Sequence, residues 1–343
     1  MPGLTVVPAA QRPKAPHVIG PKTKKATRPT VGIPDFLINE AKQTKPEAWN
    51  PEKHIAYEPP AKVVTMKEIG LEGHGISPVA VSDPFPLFSQ EAVAQMRREI
   101  FSEPVLENCR YSSTFSANMV RGMGHERAPF TYDAWWDPTV LAKISEIAGI
   151  ELVPAFDYEV ANINISINDH KDPALPDGEE TSAFAWHYDS FPFVCVTMVS
   201  DCTGMVGGET AIQLPSGEVR KVRGPTMGTA VVMQGRYIYH QALKAFGGRE
   251  RIAMVTAFRP KSPFVPDETI LTGSRPISNL DELYPQYAEY RLEVLEERFR
   301  AKLKEEKRRQ VTRKRFDVAD MRAFLTEQKE YIESMLEHMY EVE

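Results

Sequence analysis

Three side chains in the middle of this sequence have the types and spacing of a metal site. His187 and Asp189 stand two residues apart in the run Trp186-His187-Tyr188-Asp189, and His240 follows in a distant segment. Residues two apart on a β-strand project from the same face, so His187 and Asp189 can both point at one ion. Two imidazoles and one carboxylate leave the opposite side of the metal open, as in non-haem Fe(II) centres that bind a co-substrate and dioxygen. The sequence therefore predicts an iron site.

The segments around these residues are typical of short, buried β-strands. Residues 191–199 (FPFVCVTMV) are apolar and rich in valine, and a polar turn follows them. Residues 229–233 and 251–258 have the same character, and the second run stops before Pro260. The His-x-Asp pair thus stands at the entrance of one predicted strand, and His240 lies between two others.

The order of these motifs resembles the Fe(II)/2-oxoglutarate-dependent dioxygenases. The matching residues, within about residues 153–260, are His187-x-Asp189, Gly207-Gly208-Glu209-Thr210, His240 and Gly248-Arg249-x-Arg251. In that family the fold is a double-stranded β-helix, or jelly roll, and the arginine after the distal histidine binds the far carboxylate of 2-oxoglutarate. The resemblance therefore implies Fe(II) as cofactor, 2-oxoglutarate and dioxygen as co-substrates, and Arg251 as the co-substrate anchor.

Two arginines are candidates for binding the 2-oxoglutarate carboxylate. Arg251 is the first choice from the resemblance, although Ile252-Ala253 follows it where many relatives have Arg-x-Ser, so a hydroxyl is missing here. Arg249 lies on the same strand face by the period of two and is the alternative. Either guanidinium can hold a carboxylate through two parallel hydrogen bonds.

The ligand types limit which reactions are possible but do not identify the substrate. Halogenating members of the resembled family lack the ligand carboxylate, so Asp189 argues against halogenation. Hydroxylation, desaturation and oxidative cyclisation all use the same ligands, with release of succinate and CO2. We expect a biosynthetic oxidoreductase acting on a small molecule, such as an amino acid or amino-acid-derived metabolite. The alternatives are a cupin-like metal oxygenase that does not use 2-oxoglutarate, a protein or peptide hydroxylase, and a non-catalytic jelly-roll scaffold.

No catalytic residue beyond the metal ligands is predicted, but two side chains outside the motif could contact the substrate. Arg121 lies in an irregular segment rich in glycine and polar residues, where it could bind an anionic group such as a carboxylate. A solvated loop arginine is the simpler interpretation. Phe191 could form an apolar wall beside the metal pair, or it could be an ordinary core residue.

Three further substrate candidates lie on a strand predicted at residues 156–167. Tyr158, Asn162 and Asn164 share one parity, so all three would project from the same face. If that face looks into the barrel, these residues line the site. If it looks outward, they are ordinary edge polarity.

Composition divides the chain into three predicted parts. Residues 1–60 are proline-rich, with only basic charges up to Arg28, and are expected to form an extended arm against the domain or a neighbouring subunit. A localisation signal or nucleic-acid tail is the alternative for the arm. Residues 61–265 are assigned to the jelly-roll domain, with its core at 153–260. Residues 266–343 are predicted to form a helical C-terminal extension.

Helices are predicted on both sides of the strands, which makes the fold class α+β, with a jelly-roll or cupin-like core, flanking helices and the C-terminal extension. One helix begins after Ser89 and another spans 138–148, and both are expected to buttress the barrel. The extension places four apolar side chains on one stripe of a predicted helix, namely Leu292, Leu295, Phe299 and Leu303. This stripe is expected to pack on the outer sheet, and a homodimer through the C-terminal helices is the alternative.

Length and charge limit the remaining possibilities. With 343 residues, 42% of them hydrophobic, the chain can bury a sizeable core. A net charge of −6 provides no basic field for nucleic acid, so no nucleic-acid partner is expected. The sequence contains no apolar run of membrane-spanning length, and its three cysteines do not suggest a disulfide framework. We therefore expect a cytoplasmic protein without a membrane partner.

Overall fold

The computed structural model describes residues 13–22, 25–114, 116–167, 182–222, 226–243 and 245–342. Its helices are α1 Asp35–Gln43, α2 Pro51–His54, α3 Gln90–Ile100, α4 Glu103–Asn108, α5 Gly124–Arg127, α6 Pro129–Trp136, α7 Pro138–Ala148, α8 Leu280–Val311 and α9 Val318–His338. Its strands are β1 Val63–Thr65, β2 Val79–Ser82, β3 Phe85–Pro86, β4 Arg110–Tyr111, β5 Met119–Val120, β6 Leu152–Pro154, β7 Asn162–Ile167, β8 Ser182–His187, β9 Phe193–Met198, β10 Val206–Gly207, β11 Thr210–Gln213, β12 Val219–Val222, β13 Thr229–Met233, β14 Tyr239–Leu243, β15 Ala245–Phe246 and β16 Glu250–Pro260. Short 3-10 helices span Asp157–Glu159 and Arg275–Ile277.

The fold combines helices with antiparallel sheets. Within the described residues, ten strands form a larger sheet with the order β1-β2-β13-β9-β16-β7-β5-β4, in which β3 also pairs with β13 and β6 with β16. Four strands form a smaller sheet with the order β12-β11-β14-β8, and β10 pairs with β15. The predicted strand at 229–233 has these bounds in the structure, and the one at 251–258 lies within β16.

The central strand of the larger sheet, β16, explains where the core lies. Its alternate residues Ile252, Met254 and Phe258 are buried in a cluster with the helices, where the indole N–H of Trp135 donates to Met254 Sδ at 3.2 Å. The side chains of opposite parity line a cavity on the other face. The larger sheet therefore separates a helical layer from a cavity.

Two helices of this layer, α3 and α7, have the ends that their capping residues predict. Ser89 accepts a hydrogen bond from the Ala92 backbone N–H at 3.2 Å and caps α3. Helix α7 spans the predicted residues and ends at Gly149, whose φ of 68° is the left-handed conformation that glycine adopts without strain. Both helices contribute buried side chains to the cluster beneath the sheet.

The strand predicted at 156–167 is wrong over its first half. Asp157–Glu159 form a 3-10 helix, and β7 begins only at Asn162. Ala161 separates the two with a φ of 55°, and its N–H donates to the Thr256 hydroxyl at 3.0 Å. Since the chain turns here, Tyr158 is not on the same strand face as Asn162.

The predicted apolar stripe of the C-terminal extension is wrong for three of its four residues, and only Leu295 is buried. Leu292, Phe299 and Leu303 are 57%, 43% and 56% exposed. The buried face of α8 instead includes Arg291, whose guanidinium donates to the backbone carbonyls of Thr269 and Tyr331 at 3.2 and 3.1 Å. The buried residues of this face are Leu283, Tyr287, Tyr290, Arg291, Val294, Leu295 and Arg298. The arginines can be buried because backbone carbonyls satisfy their N–H groups.

The N-terminal segment lies against the body of the protein over its described part. Arg236 donates to the Pro16 carbonyl at 2.6 Å, and Val18 is only 3% exposed. Leu37 of α1 is buried in the same cluster as α3. Residues 1–12 and 23–24 of the predicted arm lie outside the described residues.

The cysteines are buried free thiols, and burial raises the pKa of Cys109 to about 11 and of Cys195 to about 12. Both therefore stay protonated at neutral pH. Among the helices of the described residues, none combines the length and the apolar composition that crossing a membrane requires.

Candidate metal centre

The predicted ligands meet at one edge of the smaller sheet. His187 ends β8 and His240 lies on the neighbouring β14, where the two are register partners with ring centroids 4.3 Å apart. Asp189 follows two residues after His187, and its Oδ1 is 3.5 Å from the Nε2 of each histidine. One ligand atom from each residue lies within 4.8 Å of the others. The fold therefore brings together the three residues that the sequence singles out, although Asp189 lies just beyond the strand.

Backbone hydrogen bonds orient two of these side chains. The Nδ1 of His240 is 2.8 Å from the Ile238 carbonyl. Because a carbonyl only accepts, Nδ1 carries the proton, and Nε2 of the neutral ring keeps a lone pair for a metal. The Asp189 N–H donates to the Gly235 carbonyl at 3.0 Å, which ties the carboxylate-bearing residue to the end of β13.

The donor set fits a divalent metal such as Fe(II). Asp189 Oδ2 is a buried acceptor without a hydrogen-bond partner among the described residues. Burial alone would raise the pKa of Asp189, but the adjacent His240 and His187 outweigh it and hold that pKa below its usual value. Burial lowers the pKa of His240, whereas Asp189 raises it, and overall this pKa lies above its usual value. An ionised carboxylate with an unused oxygen between two imidazoles suits metal binding.

A second cluster of carboxylates on the C-terminal helices has a different character. Glu305, Glu306 and Asp320 are close enough to hold an ion. Lys302 forms ion pairs with Asp320 and, at 2.9 Å, with Glu305, while Arg309 Nε lies 3.4 Å from Glu306. Basic side chains of the C-terminal helices therefore neutralise these carboxylates.

The candidate metal ligands open into a cavity of about 190 Å³ between the two sheets. The smaller sheet contributes the two histidines and Thr210, and the larger sheet contributes alternate residues of its central strands. The lining side chains of β16 are Arg251, Ala253, Val255 and Ala257. Most of this wall is apolar, so charged groups within it should interact strongly.

Of the two candidate arginines, the structure places only Arg251 in the cavity. Arg251 is 7% exposed, and its Nε donates to the Gly208 carbonyl at 3.2 Å. Arg249 instead precedes β16 and makes two hydrogen bonds to Glu40 of α1, at 2.6 and 2.8 Å. Arg249 therefore lies outside the cavity and binds the N-terminal helix, and Arg251 is the better placed of the two candidates.

The structure places four of the five substrate candidates in the lining of the cavity and one outside it. Arg121, Asn162, Asn164 and Phe191 line the cavity. Arg121 is 7% exposed, so its interpretation as a solvated loop residue is wrong. Tyr158 is not among the lining residues. It is buried beneath Arg121, with its ring 5.9 Å from the guanidinium, and its hydroxyl accepts from the Asn279 N–H at 2.8 Å.

Several residues at the site were not predicted from the sequence. Glu159 is 2% exposed and forms a 2.6 Å ion pair with Arg121, although nothing in its local sequence marks it as buried. Val18 and Ser274 reach the cavity from remote segments, and no local signal could have found them. The only sequence signal for Gly235 is that it follows a predicted strand, and this position does not indicate a role at the site. A Cβ there would lie 1.8 Å from Asp189 Oδ2.

Comparisons with known proteins give matches among solved structures. Neither the family models nor the curated proteins include a match to this sequence. A 2OG-Fe(II) oxygenase family oxidoreductase from Burkholderia pseudomallei is 14% identical with a TM-score of 0.32, and the alignment covers 41% of this chain and 65% of that one. The epimerase SnoN, solved with Fe3+, alpha ketoglutarate and nogalamycin RO, is 14% identical with a TM-score of 0.35, covering 67% and 86%.

A prolyl-4-hydroxylase from Pseudomonas putida is a further match, at 17% identity and a TM-score of 0.28, covering 42% of this chain and 72% of that one. These oxygenase structures belong to the family that the sequence motifs resemble. The overlaps are partial, and this chain spans 65% of the length of the Burkholderia protein. Support for a function therefore comes from the ligand geometry of this chain.

Proposed function

We propose that this protein is an Fe(II)/2-oxoglutarate-dependent oxygenase acting on a small molecule. The observation that carries the proposal is the convergence of His187, Asp189 and His240 at a cavity that also contains the buried Arg251. A scaffold protein has no need of three convergent metal ligands beside a buried arginine. The assignment of Fe(II) follows from the nitrogen and oxygen donors, which leave coordination positions open.

The strand order supports a double-stranded β-helix as the core. From β7 to β9 and from β13 to β16, strands of the larger and smaller sheets alternate along the chain, apart from the short β15. Such alternation winds the chain around the space between two sheets. The candidate ligands and Arg251 both face that space.

Each side chain has a defined role in this proposal. Fe(II) held by the three ligands would supply oxidation of the substrate by dioxygen, coupled to conversion of 2-oxoglutarate into succinate and CO2. Arg251 would bind the far carboxylate of 2-oxoglutarate, since a buried guanidinium forms strong, charge-assisted hydrogen bonds. Phe191, Val194 and Val196 line the cavity and would exclude water from the reacting groups.

The cavity favours a small molecule over a protein substrate. It lies between the sheets, and Val18 of the N-terminal segment borders it. Within this proposal, the reaction is a hydroxylation, desaturation or oxidative cyclisation of a metabolite, and the metal ligands do not distinguish among these three outcomes.

The test is anaerobic loading with Fe(II) and 2-oxoglutarate, followed by visible spectroscopy. A chelated 2-oxo acid on Fe(II) gives a weak charge-transfer band, and we expect this band in the native protein. Asp189→Ala should abolish it. Arg251→Met should require at least tenfold more 2-oxoglutarate, whereas Arg249→Met, which removes a guanidinium outside the cavity, should behave as the native protein does.

Two results would contradict the proposal at different points. Iron binding without the band would remove 2-oxoglutarate and favour a cupin-like oxygenase that does not use it. Absence of iron binding in the native protein would remove the catalytic interpretation altogether.

A further inference from the structure

One end of the cavity holds a buried ion pair that the proposed metal chemistry does not use. Arg121 Nη2 donates to Glu159 Oε1 at 2.6 Å, and Asn162 Nδ2 donates to Glu159 Oε2 at 2.7 Å. The three residues are 7%, 2% and 7% exposed, and all of them line the cavity. Both oxygens of one carboxylate are thus occupied by donors from the cavity wall.

This arrangement fixes the orientation of the Asn162 amide. An ionised carboxylate only accepts hydrogen bonds, so the amide nitrogen must face Glu159 and Oδ1 must face away from it. Oδ1 is buried and has no hydrogen-bond partner within the described residues. It is therefore an acceptor that lacks a donor.

Two more buried polar atoms at this end of the cavity lack partners in the described part of the chain. They are Arg121 Nε, which is a donor, and Ser274 Oγ, which can donate or accept. Ser278 connects the two residues, because its hydroxyl donates to the Ser274 carbonyl at 2.6 Å and lies 3.4 Å from Arg121 Nη2. Buried polar groups are normally satisfied, so three exceptions lining one cavity indicate a missing ligand.

The position of these atoms separates them from the proposed co-substrate anchor. On the paired strands β7 and β16, Asn162 is the partner of Val255, whereas Ser166 is the partner of Arg251. Four residues along a strand correspond to about 14 Å. The two polar ends of the cavity are therefore distinct.

The charge at this end is already matched. The Arg121 guanidinium has Glu159 as its counter-ion at 2.6 Å. Burial raises the pKa of Glu159 above its usual value overall, although Arg121 and Asn162 lower it, and both of its oxygens accept hydrogen bonds from these two residues. A ligand that carried a negative charge would meet this carboxylate as well as the guanidinium.

We propose that Arg121, Asn162 and Ser274 form a subsite for an uncharged substrate group with adjacent hydrogen-bond acceptor and donor atoms, such as a carboxamide or lactam. The carbonyl oxygen accepts from Arg121 Nε, and the amide N–H donates to Asn162 Oδ1. The Ser274 hydroxyl bonds to either atom. A free carboxylate has no donor for Asn162, so this proposal replaces the expectation that Arg121 binds a carboxylate. As a substrate subsite, it rests on the proposed function.

The test compares two probes of the same shape, 3-phenylpropanamide and 3-phenylpropanoate, by calorimetric titration of the metal-free, full-length protein carrying Arg251→Met, in which the proposed co-substrate anchor cannot hold the carboxylate probe. We expect the amide to bind at least tenfold more tightly than the carboxylate. Asn162→Leu should lower the amide affinity at least tenfold. Asn118→Leu is the matched control, since Asn118 is an asparagine as buried as Asn162 that does not line the cavity, and it should change the affinity less than threefold.

Ser274→Ala removes a single hydroxyl and serves as a second variant if Asn162→Leu does not fold. It should weaken amide binding several-fold. The proposal is overturned if the carboxylate binds as tightly as the amide, if neither probe binds at millimolar concentration, or if the Asn118 variant loses as much affinity as the Asn162 variant. Because the titration needs no metal, Asp189→Ala should bind the amide normally, and a failure of the iron assignment would not imitate a failure of the subsite.

Discussion

Replacing Gly235 with alanine should disable the metal centre without touching a ligand. A Cβ built on Gly235 lies 1.8 Å from Asp189 Oδ2 and 2.7 Å from its Cγ. The backbone cannot simply slide away, because the Asp189 N–H donates to the Gly235 carbonyl at 3.0 Å. The carboxylate must therefore rotate or shift to make room.

The size of this movement follows from the contact distance. Real Cβ atoms essentially never approach another heavy atom within 3.0 Å, so the Cβ and Oδ2 must separate by about 1.2 Å. Metal–ligand distances tolerate only about 0.2 Å. We therefore expect Gly235→Ala to weaken metal binding at least 100-fold, or about 2.7 kcal/mol.

The assay is an anaerobic Fe(II) titration, repeated with Co(II) as an oxygen-stable probe, with Asp189→Ala as the reference for a lost ligand. Gly32→Ala is the matched control, because a Cβ there meets nothing within 4 Å. Thermal melts check that each variant folds. If Gly235→Ala folds and binds Fe(II) as tightly as the native protein, Asp189 is not held against Gly235 as a metal ligand, and the reasoning is refuted.

Three other predictions concern stability. Gln234→Leu leaves the Ile76 N–H and two buried carbonyls without the side-chain partners that they have at 2.6–3.1 Å, and it should lower the free energy of unfolding in urea by about 2–4 kcal/mol. Gly149→Ala forces a side chain into a φ of 68° and should lower the same quantity by about 1–2 kcal/mol. Burial, aided by Arg275, lowers the pKa of His338 from 6.5 to about 4, so the unfolded chain binds the proton first as pH falls. The contribution of the neutral His338 ring to the free energy of unfolding should be fully present above pH 6.5 and should decrease towards pH 4 by up to about 2 kcal/mol. Urea titrations at several pH values should show a smaller decrease in His338→Gln.

The parts of the fold that could be predicted are those in which local chemistry decides the structure. The strand at 229–233 is a short apolar run with β-branched residues, and helix α7 carries its own proline start and glycine end. The ligand set could be predicted because residue type and a spacing of two suffice to nominate His187 and Asp189. Each of these signals lies within a few residues of the feature it predicts.

The parts that could not be predicted depend on contacts between distant segments. Ala161 adopts a φ of 55° because the chain turns there to bond with Thr256, and no rule of alternation includes that turn. Arg291 is buried because the carbonyls of Thr269 and Tyr331 receive its N–H groups, so polarity alone assigns the wrong face to α8. Such long-range compensation leaves no mark in the local sequence.

The candidate metal ligands lie at the edge of the smaller sheet, but one of them is also hydrogen-bonded to the larger sheet, which has a mechanical consequence. His187 and His240 belong to the smaller sheet, while the backbone of Asp189 is bonded to Gly235 at the end of β13 in the larger sheet. An ion held by all three residues would reinforce the link between the two sheets that this hydrogen bond provides. A bound ion would then oppose separation of the two sheets, so amide hydrogens along β8 and β14 would exchange more slowly once the ion is bound. Metal binding would therefore determine how readily the two sheets separate around the cavity.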